Sequence, residues 1–173
     1  MSEPLIQIRP EELDDVAPIA EVIAAAFGTP AETRLVAALR EASALTVSLV
    51  AIADAEIVGH IALSPVAVGG ASAGTRWLAL APLAVRPGWQ RRGIGTDLVH
   101  ATLALAAAHQ AAVVFVLGPP GYYGRLGFDP AAPLGWRCAY DVPEPAFRVH
   151  RTGVGARLPP PGIVTYHAAF AAL

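Results

Sequence analysis

The sequence predicts an α/β protein with one mixed central sheet and helices on both faces. Segments of helical and extended apolar periodicity follow each other in the order ααββ-β-α-β-α-ββ. The run 113–117 is wholly apolar and mostly β-branched, which is typical of a strand covered on both faces. The chain has 173 residues, of which 54% are hydrophobic and 15% charged, enough for one core and short for two. We therefore expect one domain over residues 1–173.

The elements follow from local patterns. Val16, Ile19, Ile23 and Phe27 recur at three- and four-residue spacing and predict an amphipathic helix after Pro10, which suits a first helical turn. By similar arguments, helices are predicted over 11–27, 30–42, 93–109 and 122–126. Strands are predicted over 45–53, 57–68, 77–85, 113–117, 135–140 and 146–151, with a short tail near 163–166.

Composition excludes several classes of protein. A net charge of -2 with only twelve Lys and Arg residues gives no basic surface for nucleic acid. The single cysteine, Cys138, excludes an internal disulfide framework and favours a reducing, cytoplasmic location. The first four residues lack the basic-then-apolar layout of a signal peptide. The uncharged stretch 98–117 has the length of a membrane span, but His109 and Gln110 divide it into a helix and a strand, so no membrane partner is expected.

The segment 83–96 carries the densest chemical signal. A strand ends at Pro87-Gly88, a loop rich in Arg and Gly follows, and a helix begins. The first amides of a helix lack backbone partners and attract anions, glycines allow a phosphate close approach, and Arg91 and Arg92 add positive charge. The alternative is an ordinary connection whose glycines merely turn the chain. The loop is neither a P-loop, since no Gly-Lys-Ser/Thr follows, nor a dinucleotide fingerprint.

Two motifs in this region resemble those of the GNAT superfamily of N-acetyltransferases. Gln90-x-x-Gly93-x-Gly95 is similar to the superfamily's Gln/Arg-x-x-Gly-x-Gly/Ala signature, and Leu83-Ala84-Val85-x-Pro precedes it as usual. After the next predicted strand, 123–128 resembles the second motif, Tyr-x-Lys/Arg-x-Gly-Phe. The closing segment 140–147 also resembles a branch of small bacterial predicted acetyltransferases. The resemblance implies a mostly antiparallel sheet and acetyl-CoA as co-substrate, with no metal.

The resemblance also implies a mechanism. The pantetheine arm would pair with the backbone of Leu83, Ala84 and Val85, where the central strands separate. The pyrophosphate would bind at the signature loop and helix start, comprising Gln90, Arg91, Arg92, Gly93, Ile94, Gly95 and Thr96. An amine would attack the thioester directly, and the Val85 amide would stabilise the oxyanion. Tyr123 matches the position from which a tyrosine protonates the departing thiolate. The alternative for Tyr122 and Tyr123 is packing under the sheet.

The sequence does not supply an obvious general base. The strand 77–81 lacks the glutamate that many superfamily members carry there. His60 is the candidate base, although a lone strand histidine is often structural, and its neighbours give no sign of an orienting partner. A water chain or an amine that arrives neutral are alternatives. The expected acceptor is an amine of a small molecule or peptide, and the chain is expected to be a monomer or homodimer. A non-catalytic acyl-CoA-binding module and a transferase for longer acyl chains remain alternatives.

Overall fold

The computed structural model describes residues 4–173. Its main sheet has seven strands in the order β1-β2-β3-β6-β7-β10-β8. These strands are β1 (Gln7–Pro10), β2 (Val47–Ala53), β3 (Glu56–Pro65), β6 (Trp77–Val85), β7 (Val113–Leu117), β8 (Asp129–Pro130) and β10 (Phe147–Arg151). Every neighbouring pair is antiparallel except β6 and β7, which run parallel. The predicted mixed, mostly antiparallel sheet is confirmed.

Four α-helices accompany the sheet, namely α1 (Val16–Phe27), α2 (Ala31–Glu41), α3 (Ile94–Ala108) and α4 (Pro120–Arg125). The surroundings of two adjacent residues of β3 show that the helices cover both faces of the sheet. A Cβ on Gly59 would lie 2.9 Å from Leu98 of α3, whereas His60 points toward Arg40 of α2. The expected division of 98–117 into a helix and a strand is confirmed, and no helix within residues 4–173 has the length and hydropathy needed to cross a membrane.

The beginning of the chain differs from the prediction. Residues 7–10 form the edge strand β1, and Pro10 ends that strand instead of opening a helix. A short 3-10 turn at Leu13–Asp15 precedes α1, so the predicted start of the helix at 11 was wrong. The buried Asp15 side chain fixes this entry, since it accepts hydrogen bonds from Arg9 at 2.6 Å and from the Glu12 amide at 2.7 Å. Of the first four residues, 1–3 lie outside the described part.

Segments 67–72 and 136–165 depart from the single predicted sheet, and the predicted strand 57–68 is divided between two sheets. Strands β4 (Ala67–Val68), β5 (Ala71–Ser72), β9 (Trp136–Cys138) and β11 (Gly162–Thr165) form a second sheet in the order β5-β4-β11-β9. Phe115 of β7 joins the two sheets, because its ring meets Trp136 edge-on at 5.6 Å and stacks on Phe147 at 5.5 Å. This packing places the second sheet beside the end of β7, next to the site described below.

Candidate active site

The sheet opens where β6 and β7 separate. Their pairing begins at Trp77↔Val113 and ends at Leu80↔Val116, while β6 continues to Val85. The register between β3 and β6 also shifts at Ala81 and Pro82, which bends the outer half of β6. The second half of β6 therefore has no strand on its β7 side.

The free edge of β6 presents two backbone amides. The Arg86 N–H donates to the Val58 carbonyl at 2.8 Å, so this pair lies in a hydrogen-bonding register with β3. Because hydrogen-bonded and non-hydrogen-bonded pairs alternate in antiparallel strands, the amides of Leu83 and Val85 point away from β3 into the gap. The Gln90 side chain donates to the Val85 carbonyl at 3.0 Å. The Val85 N–H remains directed at the gap.

The first of two clefts at this edge has a volume of about 290 Å³ and follows the predicted anion loop. Seven predicted cofactor-binding residues line it, namely Leu83, Val85, Gln90, Arg91, Gly93, Gly95 and Thr96. Arg91 and Gly93 have positive φ values of 58° and 82°, a loop conformation that turns backbone N–H groups toward one concave side. Helix α3 begins directly afterwards at Ile94, so its unpaired first amides add to the anion-binding character.

Three predicted cofactor-binding residues do not line this cleft. Arg92 turns away and lies over the Trp89 ring at 5.0 Å, a cation–π contact that holds the loop. The Ile94 side chain is buried beneath α3, and Ala84 packs with the residues of α1 on the opposite face. Their contribution to a ligand would come from the backbone alone.

Sequence reasoning missed the role of Tyr122 at this cleft. Tyr122 lines it, and a Cβ on Gly95 would lie 2.9 Å from the Tyr122 hydroxyl. Gly95 is therefore needed for close approach of this phenol to the helix start. The adjacent Tyr122-Tyr123 pair was the only signal in the sequence.

The second cleft, of about 330 Å³, adjoins the first at Leu83. Tyr123 lines this cleft, together with Phe27, Glu32 and residues at the ends of β6 and β7. The two tyrosine rings meet edge-on at 5.0 Å, so adjacent residues of α4 serve different clefts. Burial raises the pKa of Tyr123 well above its ordinary value, and its phenol stays protonated at neutral pH.

Glu32 was not anticipated as a site residue. It lies in the first turn of α2, and its carboxylate accepts a hydrogen bond from the Thr29 hydroxyl at 2.7 Å. The positive end of the helix favours a negative charge at this position. Thr29 and Glu32 resemble an ordinary helix-start pair in the sequence, and only the fold reveals that α2 begins against the end of β6.

His60 lines neither cleft. It is fully buried on the α1 and α2 side of β3, with Nε2 2.9 Å from the Ser48 hydroxyl and 3.9 Å from Glu11. Glu11 in turn accepts from Arg40 at 3.0 Å. The expectation that His60 lacks an orienting partner was wrong. The pKa of His60 is lowered to about 4, chiefly by burial, with Glu11 opposing the shift and Arg40 adding to it, so the ring is neutral at pH 7.

The structure thus combines a split in the central sheet with a Gly- and Arg-containing loop at a helix start on one side and a buried phenol on the other. Residues 16–128 match the profile of the Acetyltransferase (GNAT) family. The chain belongs to this family.

Similar proteins support the same assignment. The uncharacterized N-acetyltransferase YhbS of Escherichia coli K12 is 37% identical over 164 residues, which cover 94% of this chain and 97% of that protein. The crystal structure of Escherichia coli YhbS in complex with CoA has a TM-score of 0.89 at 35% identity, covering 99% of this chain and 94% of that one. A GNAT family acetyltransferase from Brucella melitensis, in complex with acetyl-CoA, has a TM-score of 0.80 at 39% identity, covering 96% and 98%.

Proposed function

We propose that this protein transfers the acetyl group of acetyl-CoA to a primary amine of a small molecule or peptide in a ternary complex. The observation that carries the proposal is the meeting of the two clefts at Leu83, in the gap between β6 and β7. One cleft offers the anion loop and the other offers Tyr123. The CoA and acetyl-CoA complexes of the Escherichia coli and Brucella proteins support the choice of cofactor.

The cofactor would bind along the first cleft. Its pyrophosphate would accept hydrogen bonds from the amides of 91–96, with Arg91 as the nearest cation. Its pantetheine arm would lie along the free edge of β6, in place of the absent strand, and pair with the outward amides. The thioester would then reach the gap beside Val85 and Tyr123.

In the reaction, the amine lone pair attacks the thioester carbonyl carbon to form a C–N bond and a tetrahedral intermediate, and the collapse of this intermediate breaks the C–S bond. The Val85 amide donates a hydrogen bond to the oxygen that becomes negative in the intermediate. The Tyr123 hydroxyl donates a hydrogen bond to the sulfur of the departing CoA. Because burial disfavours a tyrosinate, we assign Tyr123 the stabilisation of the thiolate, while the proton lost by the amine nitrogen reaches the sulfur through water.

No side chain of β6 is ionisable, and His60 is neutral and lines neither cleft. We propose that the amine reacts in its neutral form. The logarithm of kcat/KM should then rise with pH toward the acceptor's own pKa and shift between acceptors of different basicity. An inflection near pH 4, the pKa of folded His60, that stays fixed across acceptors and disappears in His60→Gln would assign the base to His60 instead.

The absence of an ionisable side chain on β6 also favours one alternative, a non-catalytic acyl-CoA-binding module. Release of free thiol from acetyl-CoA by a panel of primary amines separates the two functions. Amine-dependent release that saturates with both substrates supports the transferase. Binding of CoA in calorimetry without any amine-dependent release supports the module.

A further inference from the structure

A third cavity adjoins the second cleft. This cavity of about 310 Å³ shares Leu80, Ala81, Leu117 and Leu173 with the second cleft. Its remaining walls come from the C-terminal part of the chain, namely Tyr140, Val142, Tyr166 and Phe170. Starting from Tyr123, the space therefore runs along the end of β7 toward the second sheet.

The walls of this combined space are almost entirely apolar. Leucine, alanine, valine and aromatic side chains line its far end. The ring centroid of Tyr166 lies 5.7 Å from that of Tyr140 and 4.9 Å from that of Phe170. Among the described residues that line the two cavities, Glu32 alone has a charged side chain. A polycationic acceptor would meet one charged side chain in these walls, and a desolvated unpaired charge is costly.

The position of the single carboxylate determines how an acceptor would lie. Glu32 shares the second cleft with Tyr123, whereas the aromatic wall is in the adjoining cavity. One Glu32 oxygen accepts from Thr29, and the other lone pairs remain for an amine N–H. A carboxylate there complements an ammonium or amine group but not the methylene groups of a longer acyl chain, so the space suits an acceptor better than an extended acyl group.

We propose that the acceptor is a monoamine whose primary amino group is borne on an apolar alkyl or aryl body, with Glu32 binding the amino group and the cavity of Leu117, Val142 and Phe170 binding the body. This proposal rests on the acetyltransferase function proposed above. Burial of the apolar body supplies most of the acceptor affinity, and the carboxylate orients the nitrogen toward the thioester.

The first test compares acceptors at matched neutral-amine concentration. Hexylamine and phenethylamine should show kcat/KM values at least tenfold above those of methylamine, spermidine and an aminoglycoside. Equal or higher values for the polycations would overturn the substrate class while leaving the transferase function intact. Absence of thiol release with every amine, with CoA still bound, would instead refute the transferase function.

The second test uses variants. Glu32→Gln keeps the hydrogen bond to Thr29 and removes the charge, so it should raise KM for phenethylamine about tenfold, with kcat changed less and CoA affinity unchanged. Glu41→Gln, at the exposed far end of α2, is the matched control and should have no effect. An unchanged KM in Glu32→Gln would refute the role of the carboxylate.

The third test fills the cavity. Val142 is half-buried in a loop, and Val142→Trp should lower kcat/KM for phenethylamine about tenfold while sparing methylamine. Equal effects on both amines would contradict binding of the body there. If hexanoyl-CoA is used as well as acetyl-CoA, and Val142→Trp selectively abolishes hexanoyl transfer, the cavity belongs to the acyl chain and the proposal is wrong.

Discussion

Side chains that are adjacent in the sequence of the site point in different directions and have different surroundings. Tyr122 lies against the start of α3 through Gly95, and Tyr123 lies in the cleft that also contains Glu32. The same division applies to Arg91 and Arg92, of which one lines the anion cleft and the other stacks on Trp89. The sequence points to this loop through its glycines and arginines at a helix start, and the fold brings seven of the predicted residues into one cleft. The sequence does not predict which neighbour points where.

Tyr123→Phe tests the assignment of the thiolate partner. The change keeps the ring in its edge-on contact with Phe128, at 5.4 Å, and removes only the hydroxyl. We expect kcat to fall about tenfold or more, equivalent to ~1.4 kcal/mol of activation free energy, with CoA affinity little changed. Tyr122→Phe is the matched control, and steady-state kinetics with calorimetry measure both. A larger loss of kcat in Tyr122→Phe would transfer the role to Tyr122.

Among the elements, those with a strong local pattern are predicted accurately, whereas the start of α1 and the end of β3 differ from the prediction by five and three residues. Helix α3 and strands β2, β6 and β7 have strong periodicity or apolar runs, and their bounds agree with the prediction to within two residues. Strand β1 has four residues at an exposed edge, so it carries no alternating pattern. The second sheet depends on pairings such as Ala67↔Thr165, which join distant segments that no local pattern relates. Glu32 likewise lies at the site because α2 packs beside β6, which is distant in the sequence.

Gly93→Asp tests the loop between β6 and α3. Gly93 has a φ of 82°, and open space surrounds the position of its missing Cβ, so the substitution strains the backbone and adds a like charge beside the phosphates. We expect CoA affinity in calorimetry to fall at least a hundredfold. Gly88→Asp adds the same charge in the preceding turn, where no positive φ is required, and should lose less than tenfold. Equal losses in the two folded variants would contradict a localised anion site.

At the scale of the whole molecule, a cluster of four polar side chains fixes α2 and the segment before α1 over the sheet. Ser48, His60, Glu11 and Arg40 link β2, β3, the first turn and α2 through contacts of 2.5 to 3.9 Å. Burial opposes the charged form of Glu11, but hydrogen bonds from Arg40 and Ser48 outweigh it and lower the Glu11 pKa. This connection holds the helix that carries Glu32 in place.

The His60 pKa gives stability a defined pH dependence. His60 binds its proton with an ordinary pKa of 6.5 when unfolded and about 4 when folded. The unfolded state therefore binds more protons between these values, and the free energy of unfolding should fall as pH decreases from 6.5 to 4, by about 3 kcal/mol in total from this group. His60→Gln should flatten that part of the profile in urea titrations. His100→Gln, exposed on α3, should leave the slope unchanged, and an equal slope in His60→Gln would refute the assignment.

The gap between β6 and β7 has a consequence for the free protein. Without a ligand, the amides of Leu83 and Val85 face solvent at the centre of a seven-stranded sheet, a region whose amides are ordinarily the slowest to exchange with deuterium. A bound pantetheine arm would occupy the place of the missing strand and protect them. Ligand at a free concentration of a hundred times its Kd would also add about 2.7 kcal/mol to the free energy of unfolding. The cofactor would thus serve as a removable strand of the sheet, present only while the protein is loaded.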